Sequence, residues 1–157
     1  MRTCNFFKGF LAPSLGFAVA LAAQQASALF IVNQPWARPA QPGQATEAYM
    51  DLTSTDGAAL VGVTSDAAAT ATIRAPGKTL GKNLRVPLPA KTLVALAPGG
   101  YRIALTGLKQ PLKLGDRVQL TLSIEATDGS RQDIGVDAEV RLRSPLDDER
   151  RAHQHTH

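Results

Sequence analysis

The residues best equipped for chemistry stand at the end of the chain. His153, His155 and His157 are its only histidines. In an extended segment, positions i, i+2 and i+4 lie on one face. Neutral imidazoles placed in this way can converge on one ion, with the terminal carboxylate beside them. Imidazole suits Cu(II), Zn(II) and Ni(II), and where geometry does not select, the affinity order favours Cu(II) over the others. An unperturbed imidazole has a pKa of roughly 6.5, so the three rings are mostly neutral at neutral pH. The motif reads either as a weak metal-capture site or as a frayed tail with incidental histidines. That every histidine falls within the last five residues speaks against chance.

The interior offers little else. With no histidine before residue 153, no imidazole base is available inside the fold, which argues against Ser-His-Asp catalysis. One cysteine, Cys4, excludes a disulfide framework and every Cys-rich zinc or iron–sulfur site. No Gly-rich loop follows a strand and opens a helix, so nucleotide binding has no support. Glu47, Asp51, Asp56, Asp66, Asp116 and Glu125 sit at turns or on polar strand faces, and no two form an obvious acid/base couple. The inventory argues against an enzyme. Aromatic residues are 5% of the chain and the basic residues are scattered, so no nucleic-acid surface is expected.

These residues must be positioned by a domain that begins after a leader. Residues 1–28 read as a secretory signal peptide: Arg2 and Lys8, an uncharged apolar run from Gly9 to Ala23, then Ala26-Ser27-Ala28 as an A-x-A cleavage site. The run is interrupted by Pro13 and falls short of the roughly 20 residues a spanning helix needs. The mature chain is expected to be exported, periplasmic or secreted, without a membrane span. It would lack cysteine, keep Met50 as its one methionine, and lose two of the four net positive charges with Arg2 and Lys8. The charge therefore says little about an acidic partner.

From there the pattern is that of strands. Ala48, Met50 and Leu52 alternate with Tyr49, Asp51 and Thr53, which puts the first three toward a core. Short β-compatible runs follow at 60–64, 70–73, 84–88, 92–96 and 101–106. Val118, Leu120, Leu122 and Ile124 share one face, as do Ile134, Val136 and Ala138. Asp56-Gly57, Pro76-Gly77, Pro98-Gly99-Gly100, Gly115-Asp116 and Asp128-Gly129 mark turns, the last a hairpin. Many short antiparallel strands mean an all-β fold, a Greek-key sandwich or barrel, in a single domain over residues 29–144. Residues 145–157 are charged and poor in apolar groups, and read as a flexible, His-containing tail.

Several segments resemble the periplasmic copper chaperones of the PCuAC type. They are Trp36-Ala37-Arg38-Pro39, Pro42-Gly43, the strand 48–53, the run 96–112 around Pro98-Gly99-Gly100, and Gly115-Asp116-Arg117-Val118. The resemblance spans about Trp36 to Gly129. It implies an exported, cupredoxin-like β-sandwich that handles Cu(I), sometimes with Cu(II), and passes copper to an oxidase-assembly protein. It also implies a His/Met ligand set that is missing. Where the family's second His-x-Met would fall stand Arg102 and Ala104. Arg74-Ala75-Pro76 takes the place of its first ligand cluster, and the following loop holds no methionine. Arginine stays charged and cannot serve as a ligand. The resemblance thus implies a copper-handling protein whose core Cu(I) site is lost, any copper contact, with Cu(II) favoured over Cu(I), having moved to His153, His155 and His157. The alternative is a metal-free interaction or anion-binding module in which Arg74 and Arg102 are neighbours.

Overall fold

The computed structural model describes residues 29–77 and 84–154. The expected signal peptide, together with His155 and His157, lies outside the described residues. The elements are β1 (Phe30–Ala37), β2 (Thr46–Ser54), β3 (Ala58–Ser65), β4 (Ala68–Arg74), β5 (Val86–Leu88), β6 (Leu93–Leu96), β7 (Arg102–Leu108), β8 (Arg117–Ala126), β9 (Arg131–Val140) and α1 (Pro145–Gln154). The strands run in the order β4-β7-β2-β1-β9-β8-β3-β5, with β6 paired to β2 beside β7. Pairing is antiparallel except between β1 and β9. The sheet curls until β3 packs on β4 and β5 reaches β2, which closes a cupredoxin-like β-sandwich.

Alternation builds the core. Val118, Leu120, Leu122 and Ile124 of β8 are buried, and Val136, Ala138 and Val140 of β9 join them. Ala48, Met50 and Leu52 of β2 meet Ile103 and Leu105 of β7 and Ile73 of β4 in the same cluster. Burying one such leucine or isoleucine stabilises the fold by roughly 1.5–3 kcal/mol. In β3, Leu60 and Val63 both face inward although they are three residues apart, because a register shift near Gly62 inverts the alternation. The β8–β9 hairpin forms at the expected place. Gly129 takes φ +82°, and the Asp128 carboxylate accepts from the backbone and hydroxyl of Ser130.

Two parts of the chain differ from the sequence reading. β1 has no clean alternation because a bulge between Asn33 and Trp36 interrupts its register, with Gln34 at φ +48°. The segment after residue 144 is not an extended tail: Pro145–Gln154 form α1. Local signals account for the helix. The Ser144 hydroxyl accepts from the Leu146 amide and its carbonyl accepts from the Asp147 amide. Pro145 fits the first helical position. Asp147 and Asp148 sit in the first turn, where they suit the helix dipole, and Asp148 lies 3.6 Å from Arg141. The helix still presents residues 147–152 to solvent.

Within β7, Gly107 has φ +66°, and a Cβ there would stand 2.9 Å from the Ala69 Cβ on β4. Both the dihedral and the close approach require glycine. Gly107→Ala is expected to destabilise the protein by about 1–3 kcal/mol. Urea unfolding should show a lower midpoint at unchanged slope; an unchanged midpoint would contradict this account of the β4–β7 ladder.

Candidate functional site

Register places a polar group on the outer face of the β4-β7-β2-β1 layer. Arg74 pairs directly with Arg102, Glu47 with Ala104, and Tyr49 with Trp36. Alternation puts Glu47, Tyr49, Arg102, Ala104, Thr106 and Arg74 on this face, while Ala48, Met50, Ile73, Ile103 and Leu105 fill the core behind it. Each site residue is thus held by a neighbour in the chain that is locked in the interior.

The side chains form a connected row. The Trp36 and Tyr49 rings lie 4.6 Å apart, tilted at 35°, an aromatic contact worth about 0.5–1.5 kcal/mol beyond burial. The Arg38 guanidinium carbon sits 5.7 Å from the centre of the Tyr49 ring, within cation–π range. The Tyr49 hydroxyl donates to Glu47 Oε2. Arg102 Nε donates to Glu47 Oε1 at 2.7 Å, and its Nη1 donates to the Gly100 carbonyl at 3.3 Å. Both Glu47 oxygens are therefore engaged. Arg74 differs: its Nε is buried and has no hydrogen-bond partner among the described residues. With Arg38, Thr46, Glu47, Ala104 and Thr106 it lines an open cleft of about 340 Å³.

The ionisation states follow from these contacts. Burial pushes the Tyr49 phenol up, and the adjacent Glu47 carboxylate adds to this, taking it to about 12. Burial also acts to raise Glu47, but the Tyr49 hydroxyl and the Arg102 and Arg38 guanidiniums outweigh it and hold the carboxyl below its ordinary range. Around this cleft stand three guanidiniums, from Arg38, Arg74 and Arg102, and Glu47 is the carboxylate that lines it among the described residues.

Of the residues singled out in the sequence, the structure brings Arg74 and Arg102 together. His153 falls in the last turn of α1, so the rule that alternate residues share an extended face does not apply up to Gln154. Met50 is 1% exposed, beside Leu52 in the core. Among the described residues no three His, Cys, Asp or Glu side chains come together to hold a metal ion. Sequence reasoning did not find Arg38 and Glu47. Glu47 was within reach, since it continues the outward alternation of Tyr49 and Asp51 by one step. Arg38 was not, because its approach to Tyr49 depends on the pairing of β1 with β2.

Solved structures define the class. The chain matches the apo PCuAC domain from PmoF1 at 28% identity and a TM-score of 0.62, over 73% of this chain and 94% of that one. It matches the Cu(I) form of DR1885 from Deinococcus radiodurans at 30% identity and a TM-score of 0.51, over 74% and 81% of the two chains. The copper-bound PCuAC domain from PmoF2, at 22% identity and a TM-score of 0.58 over 73% and 93%, shares the fold. This is a PCuAC-type domain, related to the copper chaperones. More narrowly, the chain belongs to the LpqE-like family, described as "Putative lipoprotein LpqE-like", whose pattern matches residues 31–140. It is 34% identical over 116 residues to "Putative lipoprotein Lxx21020" of Leifsonia xyli subsp. xyli, an alignment that takes in 67% of this chain and spans 66% of that relative's length. No helix among the described residues is long and apolar enough to cross a membrane.

The coupling of Glu47 to Tyr49 has a measurable sign. Glu47→Gln removes the carboxylate that raises the phenol, so the Tyr49 titration should move down from about 12, read by phenolate absorbance. The folded Glu47 carboxyl titrates below its unfolded value of 4.5. Its contribution to stability is full above that value and is lost as pH falls through the folded pKa. Wild type should therefore lose more stability than Glu47→Gln on acidification below about 4.5. Parallel urea curves at several pH values would show equal losses if the carboxylate were merely solvated.

Proposed function

We propose that this is an exported, non-enzymatic binding protein of the cell envelope, built on the copper-chaperone scaffold but without a Cu(I) site in its sandwich. One observation carries the reading: Arg74 and Arg102 are cross-strand partners at the two positions where the PCuAC resemblance expects ligands. Guanidinium groups remain protonated and repel a cation. Burial of Met50 leaves no thioether at the surface of the described sandwich to replace them. Export and an envelope location are supported by the signal-like residues 1–28 and by a family and relative named as lipoproteins.

Copper contact then falls to His153, His155 and His157, which take up a Cu(II)-like ion weakly and hand it to a copper-accepting oxidase-assembly protein. Imidazole chemistry and the copper-bound state of related domains support this reading. A second reading, a metal-free interaction or anion-binding module, is favoured by a specific observation. The family pattern ends at residue 140, before the histidines, and includes both arginines.

Titrating Cu(I) and Cu(II) into the mature protein, and into a form ending at Arg151, separates these readings. No Cu(I) should bind to the sandwich in either form. Cu(II) should bind to the full chain and be lost on truncation. Equal Cu(II) binding by both forms removes the histidine role, and tight Cu(I) binding by the truncated form removes the proposal as a whole.

A further inference from the structure

We infer that the cleft beside Arg74 is a binding site for a small oxyanion carrying more than one negative charge, such as phosphate or a dicarboxylate. The charge balance is the first argument. Three guanidiniums line or adjoin this corner, and Glu47 is the carboxylate that faces them. Its two oxygens are committed to Tyr49 and Arg102, and among the described residues no other carboxylate lines the cleft with Arg38 and Arg74. The positive charge left after Glu47 is more than a single one, which selects for a polyvalent anion.

The second argument is the open donor. Arg74 Nε is out of contact with solvent and meets no acceptor among the described residues. A buried N–H on a cation is costly to leave unpaired, and a guanidinium fork matches the oxygens of carboxylates and phosphates. The third is preorganisation. The Arg38 backbone is held by two ties: its amide donates to the Glu47 carbonyl at 3.0 Å, and its carbonyl accepts from the Thr46 hydroxyl at 2.7 Å, while its guanidinium lies by the Tyr49 ring. Arg74 itself ends a strand laddered to β7 along its length. A ligand entering the cleft meets a backbone already ordered, so the ordering entropy lost on binding is confined to the side chains. A volume of about 340 Å³ admits either probe anion.

The inference rests on the reading that this corner takes no copper, which the Cu(I) titration tests separately. Cu(I) bound by the truncated form would defeat that reading, whereas anion silence without Cu(I) binding would defeat only the present inference. The experiment is calorimetry on the mature protein, with inorganic phosphate and succinate titrated separately at low, constant ionic strength and chloride as the control. Saturable one-to-one binding of phosphate or succinate, and not of chloride, is expected; whichever binds more tightly identifies a tetrahedral or a planar preference. Arg74→Gln should weaken binding at least about tenfold. Arg117→Gln, at an exposed position outside the cleft, should leave it unchanged. Glu47→Gln should strengthen binding a few-fold, because it removes the competing carboxylate; that gain serves as the test should Arg74→Gln not fold. No saturable binding by either anion overturns the inference. So does binding that is equal in wild type, Arg74→Gln and Glu47→Gln.

Discussion

Glu47 holds the outer face of the sandwich in its arrangement. One of its oxygens takes the Tyr49 hydroxyl and the other takes Arg102 Nε, so a single carboxylate ties two strands together through side chains. The Tyr49 ring, fixed at its hydroxyl end, becomes a platform with Trp36 on it and Arg38 alongside. Arg102, fixed at its Nε, also donates from Nη1 to the Gly100 carbonyl. Without that carboxylate, two guanidiniums would face one another from directly opposed positions. Like charges so placed on adjacent strands cost roughly 0.2–1 kcal/mol. The pair is tolerated because one of its members is neutralised locally.

The arrangement is rigid because β2 is central. It pairs with β1 on one side and with β6 and β7 on the other. Its inward residues, Ala48, Met50 and Leu52, are almost completely buried. Any shift of Glu47 or Tyr49 along the strand would move these core residues out of register, since a slip of one residue exchanges the two faces. The interior thereby fixes the geometry of the face that could meet a ligand, and a site carried on strands is held more closely than one carried on loops.

Much of this was legible from the sequence, and the exceptions have physical causes. β2, β8 and β9 were readable because one face is buried and the other wet, which writes a period of two into the residues. The hairpin at Asp128-Gly129 was readable because its turn demands a residue tolerant of positive φ. β1 was not, because its bulge breaks the period at Gln34 and Pro35. α1 was missed for a different reason. Its stability is local, in the Ser144 cap and the order of its charges, whereas a search for an apolar period finds nothing in a helix that buries so little. At the site, the meeting of Arg74 and Arg102 was readable only through the resemblance to a family whose ligands converge there. The orientation of Arg38 and the double use of Glu47 depend on strand pairing, which a linear sequence does not display.

Met50 is kept from the outer face by the sheet itself. Its thioether lies on the core face, one residue from Tyr49 on the outer face, and alternation keeps the two on opposite sides of the sheet. To reach the corner it would have to drag β2 through a full register slip. The arginines, by contrast, occupy the corner without disturbing the interior, since every core neighbour on β4 and β7 remains aliphatic. Two guanidiniums at residues 74 and 102 make a surface that repels cations. What remains after Glu47 neutralises Arg102 is Arg38 and the Arg74 guanidinium, the latter desolvated at Nε and lining a cleft. Folding by itself gives no reason to bury that donor unpaired, since an uncharged side chain at the end of β4 would avoid the cost.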